Sequence, residues 1–202
     1  MFNLRLWSLV LMATGLLGFG PAAAQTPWRD SLEVLNRQIE REPQSTDLRL
    51  RKAAVNIELN QWDYAIEEYG RVLDMEPRNL AALFYRAYAN NHERRYQLAL
   101  NDYEAFLAVM PKHFEAQLGL AMVKRNLKRT TEAMDHLNTL VELFPDSAMA
   151  YAARASMEAE QKQYDLALFD WDEALRLQPD NADFKASKAE VEAKRKGKKG
   201  KK

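Results

Sequence analysis

Five prolines divide the chain like marks on a ruler: Pro43, Pro77, Pro111, Pro145 and Pro179 stand 34 residues apart. With proline near 5% of average usage, four further hits in register arise by chance about once in 100,000 trials. Such a chain is a repeat array, in which each unit buries its apolar face only by stacking on its neighbours. Two sets of alanines keep the same interval: Ala65, Ala99, Ala133 and Ala167, then Ala53, Ala87, Ala121, Ala155 and Ala189. Two small positions per unit let paired helices approach closely.

Large side chains draw the helical face. Trp28, Trp62, Tyr96, Thr130 and Tyr164 share one phase, Leu32, Ile66, Leu100, Met134 and Leu168 lie four residues on, and Leu35, Tyr69, Tyr103, Leu137 and Trp171 seven on. An i, i+4, i+7 stripe is one face of a helix. Each proline ends that helix, because it lacks an N–H and clashes with the preceding turn. Two residues later stand Ser45, Asn79, His113, Ser147 and Asn181, all but His113 good N-caps for the next helix. The unit is therefore helix, turn, helix, proline.

That unit resembles the tetratricopeptide repeat, which has the same period and a small, aromatic and proline signature. The resemblance implies an all-α, right-handed superhelical solenoid of antiparallel helix pairs. Counting each proline as the thirty-second residue gives repeats at 46–79, 80–113, 114–147 and 148–181. An N-terminal half repeat at 25–45, with a helix from about Trp28 to Arg41, precedes them. A capping helix at 182–195 follows, because an uncapped end would expose the stacking face. Two departures stand out. The family's Trp-x-x-Leu-Gly opening has Ala for Gly throughout and Arg49, Leu83, Gln117 and Tyr151 at the Trp position. Thr130 replaces an expected aromatic ring, which predicts the loosest junction at the third repeat.

In this family the first helix of each repeat builds a concave wall. The positions that usually face it share one helical face. Here they give Leu50, then Phe84, Tyr85, Tyr88 and Asn91, then Leu118, Met122 and Arg125, then Met149, a partner-binding groove that is apolar and aromatic with little charge. The family's two-carboxylate clamp of Lys, Asn and Arg is absent, since Leu50, Phe84, Leu118 and Ala152 occupy its first position and Ala54, Tyr88, Met122 and Ser156 its second. An apolar extended segment or an amphipathic helix therefore suits the groove better than an acidic C-terminal peptide. The same rings also read as packing between repeats, the ordinary meaning of an aromatic stripe.

Arg94, Arg95, Lys128, Arg129 and Lys162 recur in the turns inside the repeats and predict a basic rim, either simply solvated or a docking edge. Glu67, Glu68, Asp102, Asp135 and Asp170 lie on the second helices and are expected to face outward. No chemistry is advertised. The chain has no Cys, which removes disulfides, thiolate zinc, a cysteine nucleophile and a lipoprotein's acylated Cys. Beyond residue 20 only Gly70, Gly119, Gly197 and Gly200 remain, too few and too scattered for a phosphate loop. His92, His113 and His136 form no ligand pair. The expectation is no catalytic residue, no metal, no cofactor and no enzyme.

The first 24 residues have a basic start, an uncharged stretch from Leu6, a Gly20-Pro21 break and Ala22-Ala23-Ala24 before Gln25. That order predicts a signal peptide cleaved before Gln25 and a periplasmic or secreted protein. The uncharged run is also long enough for an uncleaved anchor, against which the break and the small-residue end argue. Residues 194–202 hold seven basic groups, while 25–193 hold 21 basic and 29 acidic ones, a net of −8. Residues 196–202 are expected to be disordered. The sequence thus predicts an exported interaction module that binds a protein or peptide partner in its groove. The alternative is a binder of a polyanion or membrane surface acting through the tail. Nucleic acid is disfavoured by export, and self-association through the apolar end helices is compatible with the groove reading.

Overall fold

The computed structural model describes residues 26–199. Ten helices follow one another: α1 (Thr26–Arg41), α2 (Thr46–Glu58), α3 (Trp62–Met75), α4 (Leu80–His92), α5 (Tyr96–Leu107), α6 (Phe114–Asn126), α7 (Thr130–Leu143), α8 (Ala148–Glu160), α9 (Tyr164–Leu177) and α10 (Ala182–Lys199). There is no strand among the described residues. The pairs α2/α3, α4/α5, α6/α7 and α8/α9 stack into a helical solenoid, with α1 against α2 and α10 against α9. The predicted signal peptide at 1–24 and residues 200–202 lie outside the described residues.

Side-chain caps start the first helix of each pair. Ser45, Asn79 and Ser147 accept from the backbone N–H groups of Leu48, Ala82 and Ala150, and Asn181 Oδ1 accepts from Phe184. His113 does the same work through Nδ1, which accepts from the Ala116 N–H at 3.3 Å. The turns inside the pairs close differently. Asn60, Arg94, Lys128 and Lys162 have φ of 56°, 58°, 63° and 61°. In each turn that residue and the next bond back into the helix, as in Asn60 N–H to Ile57 O at 2.9 Å and Gln61 N–H to Asn56 O at 2.8 Å. This is a Schellman ending, whose left-handed residue is usually glycine.

Both alanine columns are closed: Ala53, Ala87, Ala121 and Ala155, and Ala65, Ala99, Ala133 and Ala167, are all 0% exposed. Ala189 on α10 is exposed, because no further described helix stacks there. At Gly119 an added Cβ would lie 2.5 Å from Cζ of the buried Tyr103 ring. The core runs along the stack as successive clusters. The first, around Tyr69, Val72, Leu83 and Tyr103, joins α2 to α6, and the next centres on Leu137 and Leu140. Trp171 and Phe184 pack α10 onto the stack, and Leu35 and Leu48 hold α1.

Two expectations change. Glu67 and Asp135 are exposed as anticipated, but Glu68, Asp102 and Asp170 are buried between the helices of their own units. A buried carboxylate stays charged only beside a cation. Lys52 and Arg49 reach Glu68 at 2.8 and 2.9 Å. Arg86 grips Asp102 through two nitrogens at 2.7 and 2.8 Å, and Arg154 grips Asp170 at 2.6 and 2.8 Å. The third unit has Leu120 and His136 in the places of that pair. The second change is at the C-terminus, where α10 continues past Arg195 to Lys199, so residues 196–199 are helical rather than disordered.

Candidate functional site

The first helices form the inner wall. α2 approaches α4, and α4 approaches α6, more closely than the second helices approach one another, which places α2, α4 and α6 at the smaller radius of the solenoid. On this wall the predicted residues divide by exposure. Tyr88 is 46% and Met149 48% exposed, while Leu50, Phe84, Tyr85, Asn91, Leu118, Met122 and Arg125 are half-buried. The Phe84 ring sits 5.1 Å from Tyr85, 5.4 Å from Phe106 and 5.2 Å from His113, so it is held by the core. Tyr85 stacks on Tyr69 with centroids 6.0 Å apart. Leu118 and Met122 pack against the cluster joining α6 to α8. Asn91 accepts from Asn126 at 3.5 Å, and Arg125 pairs with Glu160 at 3.3 Å.

The structure therefore gathers Phe84, Tyr85 and Tyr88 on α4 and Leu118, Met122 and Arg125 on α6, with Tyr88 as the ring left open to solvent. Tyr88 is braced from behind. Trp62 meets it edge-on at 5.9 Å and stacks on His92 at 3.8 Å. The rim residues Arg94, Arg95, Lys128, Arg129 and Lys162 are all exposed in the turns, with Arg95 paired to Asp63 at 2.6 Å. Arg125 and Lys128, one from each set, meet in a cleft of about 360 Å³ between the third and fourth units.

Sequence reasoning missed the buried polar residues behind the wall. His136 lies between Lys124 Nζ and Gln117 Oε1, each at 3.1 Å. An ammonium group has no lone pair, so Nε2 accepts from Lys124 and Nδ1–H donates to Gln117. The ring is held neutral, and burial together with Lys124 pushes its pKa below the usual histidine value. Gln117 Nε2 in turn donates to the Pro111 carbonyl at 2.9 Å, as Arg49 does to that of Pro43. Both stand where the family's tryptophan was expected, so a polar side chain ties that position to the preceding turn. Glu158 is buried with one oxygen unpartnered, and desolvation, helped by Asp170, raises its pKa to about 7. No group of His, Asp and Glu among the described residues is placed to hold a metal ion, and no described helix is long and apolar enough to cross a membrane.

Two sequence profiles described as tetratricopeptide repeat match, one over residues 50–104 and the other over 92–157, together more than half of the chain. The chain belongs to the tetratricopeptide repeat family. No curated protein matches. Among solved structures, MamA 41-end from Desulfovibrio magneticus RS-1 superposes with a TM-score of 0.73 at 16% identity, over 79% of this chain and 90% of that one. A tetratricopeptide repeat protein from Parabacteroides merdae superposes with 0.76 at 19% identity, over 84% and 67%. YrrB, described as a tetratricopeptide repeat protein with an unusual peptide-binding site, gives 0.64 at 18% identity, over 82% and 85%. At these identities the likeness is one of fold.

Proposed function

We propose that this chain is a non-enzymatic interaction module that acts after export, holding an apolar segment of a protein partner against α4 and α6 as part of an envelope assembly. The observation that carries this reading is the Tyr88 ring: it is exposed on the inner wall while Trp62 and His92 lock the wall behind it. A large ring held rigid before binding loses little conformational entropy on contact, which is why aromatic residues anchor interfaces. Phe84 and Met122 flank it as half-buried floor rather than as free side chains. Leu50, Leu118 and Met149 extend the apolar track along the stack. YrrB, with its peptide-binding site, shares the fold and supports a peptide-like occupant. The test is capture of a native partner by the exported protein and by two variants. Tyr88→Ala should lower partner affinity about 30-fold or more, the effect of truncating an aromatic anchor. Tyr64→Ala, at an exposed ring on α3, should leave it unchanged. Equal capture by both variants would remove the groove from the account.

A further inference from the structure

Three of the four complete units place a ring at the start of their second helix. Trp62 fills the notch between the first and second units, stacked on His92 and touching Tyr88. Tyr96 and Tyr164 are half-buried against the cores beside them. In the third unit that place belongs to the exposed Thr130, and the residues in register with Tyr88 and His92 are Ser156 and Glu160. The notch is left without a ring. The cleft of about 360 Å³ opens there, lined among others by Arg125, Lys128, Thr130, Met157 and Glu160. The surrounding helices have not closed over it: α7 packs on α8 more sparsely than α3 on α4 or α5 on α6, and α8 does not approach α6 as α4 does.

We propose that this cleft receives an aromatic side chain of the partner, with an adjoining carboxylate of the same segment held at its basic edge. This rests on the groove reading and names the anchor that the groove's occupant carries. The repeat itself builds a ring-sized notch and fills it with its own side chain elsewhere along the stack, as Trp62 does. The floor is Met157, 2% exposed, whose thioether makes favourable contact with ring edges. The wall carries two cations. Lys128 has no side-chain partner among the described residues, and Arg125 is held only by the exposed Glu160 at 3.3 Å. Arg125 also belongs to the inner wall, so a segment lying along α4 and α6 reaches the cleft without leaving the groove. An arriving carboxylate is stabilised by Lys128, and the guanidinium of Arg125 lies over the arriving ring by giving up or bending its exposed pairing with Glu160.

The test uses chemical-shift mapping on the protein without its first 24 residues. The probes are N-acetylated Gly-Ala-Trp-Asp and the control Gly-Ala-Ala-Asp. The tryptophan peptide should shift the Arg125, Asn126, Thr130 and Gln161 amides in a saturable way, and the control should bind about 30-fold more weakly, as expected when an aromatic anchor is removed. Thr130→Trp fills the notch from within, so it should raise the unfolding midpoint and abolish the shifts. Lys128→Glu, at an exposed side chain without a partner among the described residues, should abolish them too with the melting midpoint unchanged, and serves if Thr130→Trp does not fold. Equal binding of both peptides, shifts that avoid the cleft, no saturable shift at millimolar peptide, or full binding to either variant would each overturn the proposal. Loss of the cleft alone leaves the groove reading standing if Tyr88→Ala still weakens capture. Cleft binding with no effect of Tyr88→Ala on capture would do the opposite, keeping the cleft and removing the groove.

Discussion

Arg94 illustrates how much a single residue's backbone decides. Its φ of 58° is a conformation that costs an L-residue about 1–2 kcal/mol and glycine almost nothing. Arg94→Gly should therefore stabilise the protein by about 1 kcal/mol and raise the melting midpoint by about 2–4 °C, whereas Asn60→Gly, starting from a residue that tolerates this region, should change little. The buried pairs act with opposite sign. Removing Asp170, 1% exposed, strands Arg154, so Asp170→Ala should cost about 3–5 kcal/mol by denaturant titration, against at most about 0.5 for the exposed Glu67→Ala. Glu158 gives a pH signature. Its pKa rises from 4.5 to about 7 in the folded state, so the folded chain binds the extra proton and stability falls as pH climbs through that window. Glu158→Gln should remove the decline, and its midpoint advantage over the natural chain should grow between about pH 5 and about pH 8. These residues were the least legible in the sequence. Helical spacing marks a stripe of large apolar side chains and assigns every carboxylate to the outside. The pairing signal was nonetheless present: Lys52, Arg86 and Arg154 match Glu68, Asp102 and Asp170, and both positions change together to Leu120 and His136 in the third unit.

At the scale of the helix, period and caps were readable because they are local. The proline interval, the alanine columns and the Ser and Asn caps each act within a few residues, and the helices begin one residue beyond the capping positions. His113 capped although it is an unusual cap, because its Nδ1 is an acceptor in the place where an Asn or Ser oxygen stands in the other units. The end of α10 was misread for the converse reason: like charges argue against packing, not against helix, and Glu190 and Asp165 pair with Lys194 and Arg195. Helix contact is where substitutions should tell most. Ala121 is 0% exposed where α6 meets its neighbours, so Ala121→Leu should cost about 1–3 kcal/mol, while Glu142→Leu, exposed on α7, should not. Gly119→Ala gains about 1 kcal/mol of helix propensity but must displace the buried Tyr103 ring, and it should lower the melting midpoint despite the better helix former.

For the whole molecule, the stack converts an irregular sequence into a continuous wall, and the break in its column of rings falls at its most open junction. Thr130 announced that junction from the sequence, because a missing ring at a fixed phase needs no structure to be seen. Which of the wall's rings are open was not legible, since Phe84 and Tyr88 share a helix face and are told apart only by what packs on them, Phe106 and His113 of the same unit on Phe84 and Trp62 of the preceding unit on Tyr88. The most direct measurement places a photo-crosslinking amino acid at Tyr88 on the inner wall and, separately, at Tyr64 and Leu98 on α3 and α5, in cells that naturally produce the protein. The account predicts one discrete partner adduct from position 88, lost when free partner segment competes, and none from positions 64 and 98. Adducts from 64 or 98 with silence at 88 would contradict it and move the binding face to the outside of the solenoid.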